Sequence, residues 1–97
     1  MAGLVSSISH AQTADDVLNR MSEEQSFSYI SGVVEGLAAA RWAAEQPDSS
    51  GMTCIYNWYF DQDGDVHLTI TEWLARNSDQ RAGFLIYALT QKECPNE

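Results

Sequence analysis

Positive charge is scarce in this chain: 5 lysines and arginines stand against 14 aspartates and glutamates, a formal net charge of -9 over 97 residues. A surface of that balance repels phosphate backbones and anionic bilayers, which argues against nucleic-acid binding and against peripheral membrane binding. No apolar run approaches the roughly 20 residues that a membrane span needs. Histidine is limited to His10 and His67, neither of which has a second histidine or cysteine at metal-ligand spacing, so no zinc site is expected. No Gly-x-Ser-x-Gly and no phosphate-cradling glycine loop occurs. The sequence therefore points to no reaction, no cofactor and no catalytic residue, and the chain reads as a non-enzymatic protein.

Proline and cysteine are each present only twice, at Pro47 and Pro95 and at Cys54 and Cys94. In an oxidising compartment the two cysteines can pair, and closing about 40 residues would stabilise the fold by roughly 4 kcal/mol on the chain-entropy model. In a cytoplasmic protein they stay as two thiols. The N-terminus bears on that choice, since Leu4 to Ala11 ends in Ser9-x-Ala11 before Gln12, the small-x-small form of a secretory cleavage site. Residues 1–12 read as a tail or the remnant of a signal peptide, and 13–97 as one domain. Periplasm or another secreted location follows from the first reading, and the cytoplasm is the alternative.

What the chain does have is helix punctuation. Thr13 to Asp16 and Ser22 to Gln25 both have the form of capping boxes. The first opens a short helix with Val17, Leu18 and Met21 on its apolar edge. The second opens a long helix over about 23–46, in which Phe27, Ile30, Val33, Val34, Leu37 and Ala40 follow a 3.6 period until Pro47 stops it. Glu35 and Arg41 on this helix read as solvated charges. Met52 to Phe60 is too apolar to be a solvated helix, and 66–77 reads as a helix despite some strand-like alternation. Ser78 is expected to cap a final helix over about 79–93, with Ala82, Leu85, Ile86 and Leu89 facing inward. The expected fold is an all-α bundle of four to five helices in a single domain.

Within the long helix, Ser28, Gly32, Gly36, Ala40 and Ala44 recur every fourth residue as a smooth stripe. Interior glycines cost a helix roughly 1 kcal/mol each against alanine, so a close packing contact is expected to offset Gly32 and Gly36. The expectation is that the final helix crosses over them, with a symmetric homodimer through the same stripe as the alternative.

Two groupings suggest binding. Asp61, Asp63 and Asp65 stand beside the aromatic-dense segment that contains Trp58 and Tyr59, with Trp73 beyond. The acids would steer a basic protein partner, and Trp58, Tyr59 or Trp73 would supply the buried anchor. Residues 61–72 also match a twelve-residue calcium loop at Asp61, Asp63, Asp65 and Glu72, although its sixth position, which needs glycine, holds Val66. A calcium-binding helical module is an alternative on that count.

Tyr29-Ile-Ser-Gly32-Val-Val-Glu35-Gly36, a central Cys54, Trp73-Leu74, and Ala88-Leu89 running into Glu93-Cys94-Pro95 together form a recognisable order. From Ser26 to Pro95 it resembles the Rap/Tai family of small periplasmic helical proteins, whose known members are immunity proteins against type VI secretion amidase toxins. Several members carry a further cysteine pair and a proline after the central cysteine; here there is no second pair, and Ile55 follows Cys54. The resemblance implies a four- or five-helix fold with a Cys54–Cys94 disulfide, a periplasmic location, often a homodimer, and structural roles for Tyr29, Gly32 and Gly36. The layout is also similar to that of acid-stress periplasmic chaperones, which expose apolar surface at low pH; here the 14 carboxylates lose charge on acidification, so exposure of the Tyr56–Phe60 cluster is a further alternative.

Overall fold

The computed structural model of the chain describes residues 11–61 and 65–96. Five helical segments follow in order: α1 (Asp16–Arg20), α2 (Glu23–Glu45), α3 (Ser50–Phe60), α4 (Asp65–Ala75) and α5 (Ala82–Glu93). Among the described residues there is no strand, only an isolated antiparallel bridge between Thr13 and Arg81. The all-α bundle expected from the sequence is the fold.

Both capping boxes form. Thr13 N–H donates to Asp16 Oδ2 at 3.0 Å while Asp16 N–H donates to Thr13 Oγ1 at 3.1 Å, opening α1, a single wide turn of π type. Ser22 and Gln25 make the same reciprocal pair at the start of α2. Pro47 follows two residues after α2 ends, and Asp48 Oδ1 accepts from Ser50 N–H at 2.9 Å to open α3. The Ser50 hydrogen bonds hold the Asp48 carboxyl below its usual range.

The long α2 is the spine, packed on α3 along one flank and α5 along the other, while α4 lies against α3, α5 and α1. Its buried row is Ser26, Ile30, Val34, Ala38 and Arg41, and opposite side chains from the other helices complete the core: Val17, Ile55, Ile70, Leu74, Ala82, Leu85 and Ile86. The apolar row expected on α2 is thus rotated, because Phe27 and Ala40 are exposed and Val33 and Leu37 only half-buried. Position i+4 recurs at about 40° of drift per turn, so residues two apart, such as Ile30 and Gly32, point roughly 200° away from each other.

That geometry overturns the expected helix crossing. The whole stripe of Ser28, Gly32, Gly36, Ala40 and Ala44 faces outward, and a Cβ added at Gly32 or Gly36 would meet nothing within 4 Å. The close approach lies instead at Gly51 in the first turn of α3, where an added Cβ would stand 2.8 Å from Arg41 Cγ and 2.5 Å from Glu45 Oε1. Half-buried Tyr29 keeps a structural place against the core, and burial pushes its phenol pKa up.

The last helix starts at Ala82 rather than Asp79, and Ser78 does not cap it. Its would-be first turn is used elsewhere: Ser78 and Gln80 carbonyls accept from Asp15 and Ala14 N–H at 2.9 and 2.8 Å, and Ala82 N–H donates to Gln12 at 2.9 Å. Gln12 is therefore tied into the domain, while the rest of the expected tail, residues 1–10, lies outside the described residues. Cys54 and Cys94 form a disulfide with Cα atoms 5.9 Å apart, fixing the middle of α3 to the end of α5.

Candidate functional site

The disulfide sits between two adjoining hollows. The first is lined by Arg41, Glu45, Asp48, Gly51, Glu93 and Pro95, the second by Asp48, Thr53, Asn57, Trp58 and Glu93, and the two meet at Ser50 and Cys54. They lie where Gly51 lets α3 start against α2 and where the disulfide fixes the middle of α3 to the end of α5.

Arg41, expected to be solvated, forms the floor of the first hollow and is only 9% exposed. Its Nε donates to Glu45 Oε2 at 2.9 Å, Nη1 to Gln91 Oε1 at 3.4 Å, and Nη2 to the Cys94 carbonyl, an unpaired carbonyl at the end of α5. A buried guanidinium needs such partners, since isolated burial of a charge is prohibitively costly. The i,i+4 spacing of Arg41 and Glu45 is visible in the sequence, but no sequence signal marks the Cys94 carbonyl as a third partner.

With Arg41 and Glu45 matched, the carboxylates of Asp48 and Glu93 remain as the surplus charge of the paired hollows. Neither forms an ion pair among the described residues. Trp58, half-buried, walls the far end beside them. An indole face next to carboxylates suits a guanidinium or ammonium group, which gains from both the ring quadrupole and the negative charge.

The other expected site residues are dispersed. Asp61 and Asp65 are exposed at the end of α3 and the start of α4, away from these hollows, and Asp63 lies outside the described residues. Tyr59 is buried at 9% exposure, and its hydroxyl lies 3.1 Å from Ser31 Oγ and 3.3 Å from His67 Nδ1. It is a packing residue with its polar end satisfied, which corrects its reading as a partner anchor. Trp73 is likewise engaged inward: its Nε1–H donates to the Leu85 carbonyl at 3.0 Å, and the Arg76 guanidinium sits 5.8 Å from its ring. Trp58 alone of the three stands where a partner could reach it beside acids that form no ion pair among the described residues.

Residues 65–72 of the expected calcium loop do not wrap. Helix α4 begins at Asp65, so Asp65 and Glu72 lie seven residues apart on one helix, about 10 Å along its axis. Two carboxylates so spaced cannot share one ion at oxygen–calcium distances near 2.4 Å. Among the described residues no three His, Cys, Asp or Glu side chains gather at metal-binding distance.

A second surface was not foreseen. Phe84 and Tyr87 of α5 are 69% and 46% exposed, and with Leu37 and Gly83 they form a shallow apolar groove that ends at Arg81. The sequence signal was available: Phe84 and Tyr87 fall three apart, off the Ala82, Leu85, Ile86 row that faces the core. No helix among the described residues is long and apolar enough to cross a membrane. Compared with protein-family models, curated proteins and solved structures, the chain matches none.

Proposed function

We propose that this chain is a secreted, non-enzymatic binding protein that sequesters a basic protein partner, as the immunity proteins of the Rap/Tai family it resembles sequester their toxins. The observation that carries the reading is Trp58 walling a hollow whose carboxylates, Asp48 and Glu93, form no ion pair among the described residues. A partner's arginine or lysine entering there would lie between indole and carboxylates, and the net charge of -9 would speed its approach. The Cys54–Cys94 disulfide supports an oxidising compartment.

The test is capture of a partner from periplasmic extract on immobilised wild type and on a Trp58→Ala/Asp48→Asn/Glu93→Gln variant, across a salt series. We expect a captured protein that elutes with rising salt and is lost from the variant. Equal capture by both, with no salt dependence, would overturn the assignment of the hollow.

A further inference from the structure

We infer that the apolar groove between α2 and α5 receives a helix of the protein partner, one that presents two apolar side chains a turn apart and a carboxylate beside them. The inference rests on the binding reading above and names the element the partner would offer at a second surface.

Phe84, at 69%, is the most exposed large apolar side chain among the described residues, and Tyr87 stands one turn further along α5 on the same side. Leu37 of α2 forms the facing wall, and Gly83 contributes no side chain to block the space between. At 380 Å³ the groove has the size of a small-molecule site, but it is shallow and open. Small-molecule sites cover most of their ligand, so a small ligand here would stay largely wet. A helix laid along the groove would instead cover Phe84 and Tyr87 from above with successive apolar residues, the helix-in-groove mode of recognition.

Charge selects the rest of the occupant. Of the chain's 5 basic residues, Arg20 pairs with Asp16 at 3.4 Å, Arg41 pairs with Glu45 at 2.9 Å, Arg76 lies over the Trp73 ring at 5.8 Å, and Lys92, which has no ion pair among the described residues, does not line the groove. Arg81 has no ion pair among the described residues, although the chain holds 14 acids, and it stands at the end of the groove. An unpaired guanidinium at the end of an apolar trough matches an acidic residue one turn from an apolar pair. A second copy of the chain is the poorer occupant, because two bodies of charge -9 repel each other.

The probe is a blocked, alanine-rich helical peptide with Glu, then Leu one turn on, then Leu a further turn on, with partners in which Gln or Lys replaces Glu. Each is titrated into the isotope-labelled full chain and followed by amide NMR. We expect saturable shifts at Leu37 and along 81–88, the Glu peptide binding about fivefold tighter than the Gln peptide, and Arg81→Gln erasing that preference. Phe84→Ser should weaken all three peptides; both side chains are exposed, so unchanged thermal melts will show that the variants fold.

Shifts centred elsewhere, equal binding of the Glu and Lys peptides, or no saturable binding would overturn the inference. So would concentration-dependent shifts at Phe84 and Tyr87 without peptide, which would assign the groove to a second copy. Asp48→Asn should bind the Glu peptide as wild type does. Peptide binding retained while basic-partner capture shows no dependence on the Trp58 hollow would therefore sink the hollow alone.

Discussion

At its C-terminal end α2 is gripped by side chains and backbone from α3 and α5, whereas the glycines of its outer face meet nothing among the described residues. The gripped end has Arg41 bonded to Glu45, Gln91 and the Cys94 carbonyl, Gly51 pressed against Arg41, and the disulfide immediately beyond. The outer face has Gly32 and Gly36 with open space where a side chain would be. Both regions contain glycine, yet only at Gly51 does the missing Cβ permit a contact. At the outer pair no contact among the described residues offsets the helix-propensity cost. A glycine's spacing in sequence marks a smooth surface; whether that surface is used depends on which way the helix is rotated.

The largest effect expected at the gripped end comes from the disulfide. Cys54→Ala/Cys94→Ala opens a loop with a sequence separation of 40. We expect a loss of about 4 kcal/mol in urea unfolding, a large share of the stability of a domain this size. A loss below about 1 kcal/mol would mean that the Arg41 contacts alone hold the end of α5, and the comparison would have to be redrawn around the arginine.

Next in size is a pair of identical substitutions with opposite sign. Gly51→Ala forces a methyl against Arg41 Cγ and Glu45 Oε1, and the buried guanidinium stem has little freedom to move away, so a loss of about 1–3 kcal/mol is expected. Gly36→Ala places its methyl in open space and should gain up to about 1 kcal/mol through helix propensity. Chemical denaturation of both variants checks the signs together. A destabilised Gly36→Ala would show that the outer face is covered in solution, which is the homodimer reading of the stripe.

Much of this was legible in the sequence, for identifiable reasons. The two capping boxes and Pro47 act through bonds three residues apart or less, so Thr13, Ser22 and the end of α2 could be placed without knowing the fold. The core row of α5 was readable because Ala82, Leu85 and Ile86 leave little choice of inner face, whereas α3, apolar on every side, marked none. On α2 apolar residues flank the buried row on both sides, so Phe27 and Ala40 were taken inward while Ser26 and Arg41 are buried. The late start of α5 depends on hydrogen bonds from residues about 65 positions earlier, which no local pattern encodes. The Trp58 hollow was half-visible: its aromatic was expected, but its acids come from Asp48 and Glu93, which meet only in the fold, and not from the neighbouring Asp61 and Asp65.

The smallest effect concerns the opposite end of α2, where the basic group packed against the helix is a half-buried histidine. The His67 ring lies 5.0 Å from that of Phe27, with Tyr59 at its Nδ1 and Leu18, Met21, Glu23 and Thr71 around the same hollow. Arg41 is bonded to the Glu45 carboxylate; His67 has no ion pair among the described residues, and burial lowers its pKa from 6.5. Above pH 6.5 the folded and unfolded chains both hold it neutral, and stability is independent of it. As pH falls below that value the unfolded chain takes up the proton first, so stability declines, then levels once the folded state is protonated too. Urea midpoints measured down the pH scale should therefore drop below pH 6.5 in wild type and drop less in His67→Gln. An acid response of the aromatic cluster, the chaperone-like reading of the sequence, rests on loss of carboxylate charge and is separable from this ring by the same measurement. Identical pH profiles for the two proteins would place any acid sensitivity with the carboxylates and leave His67 as packing alone.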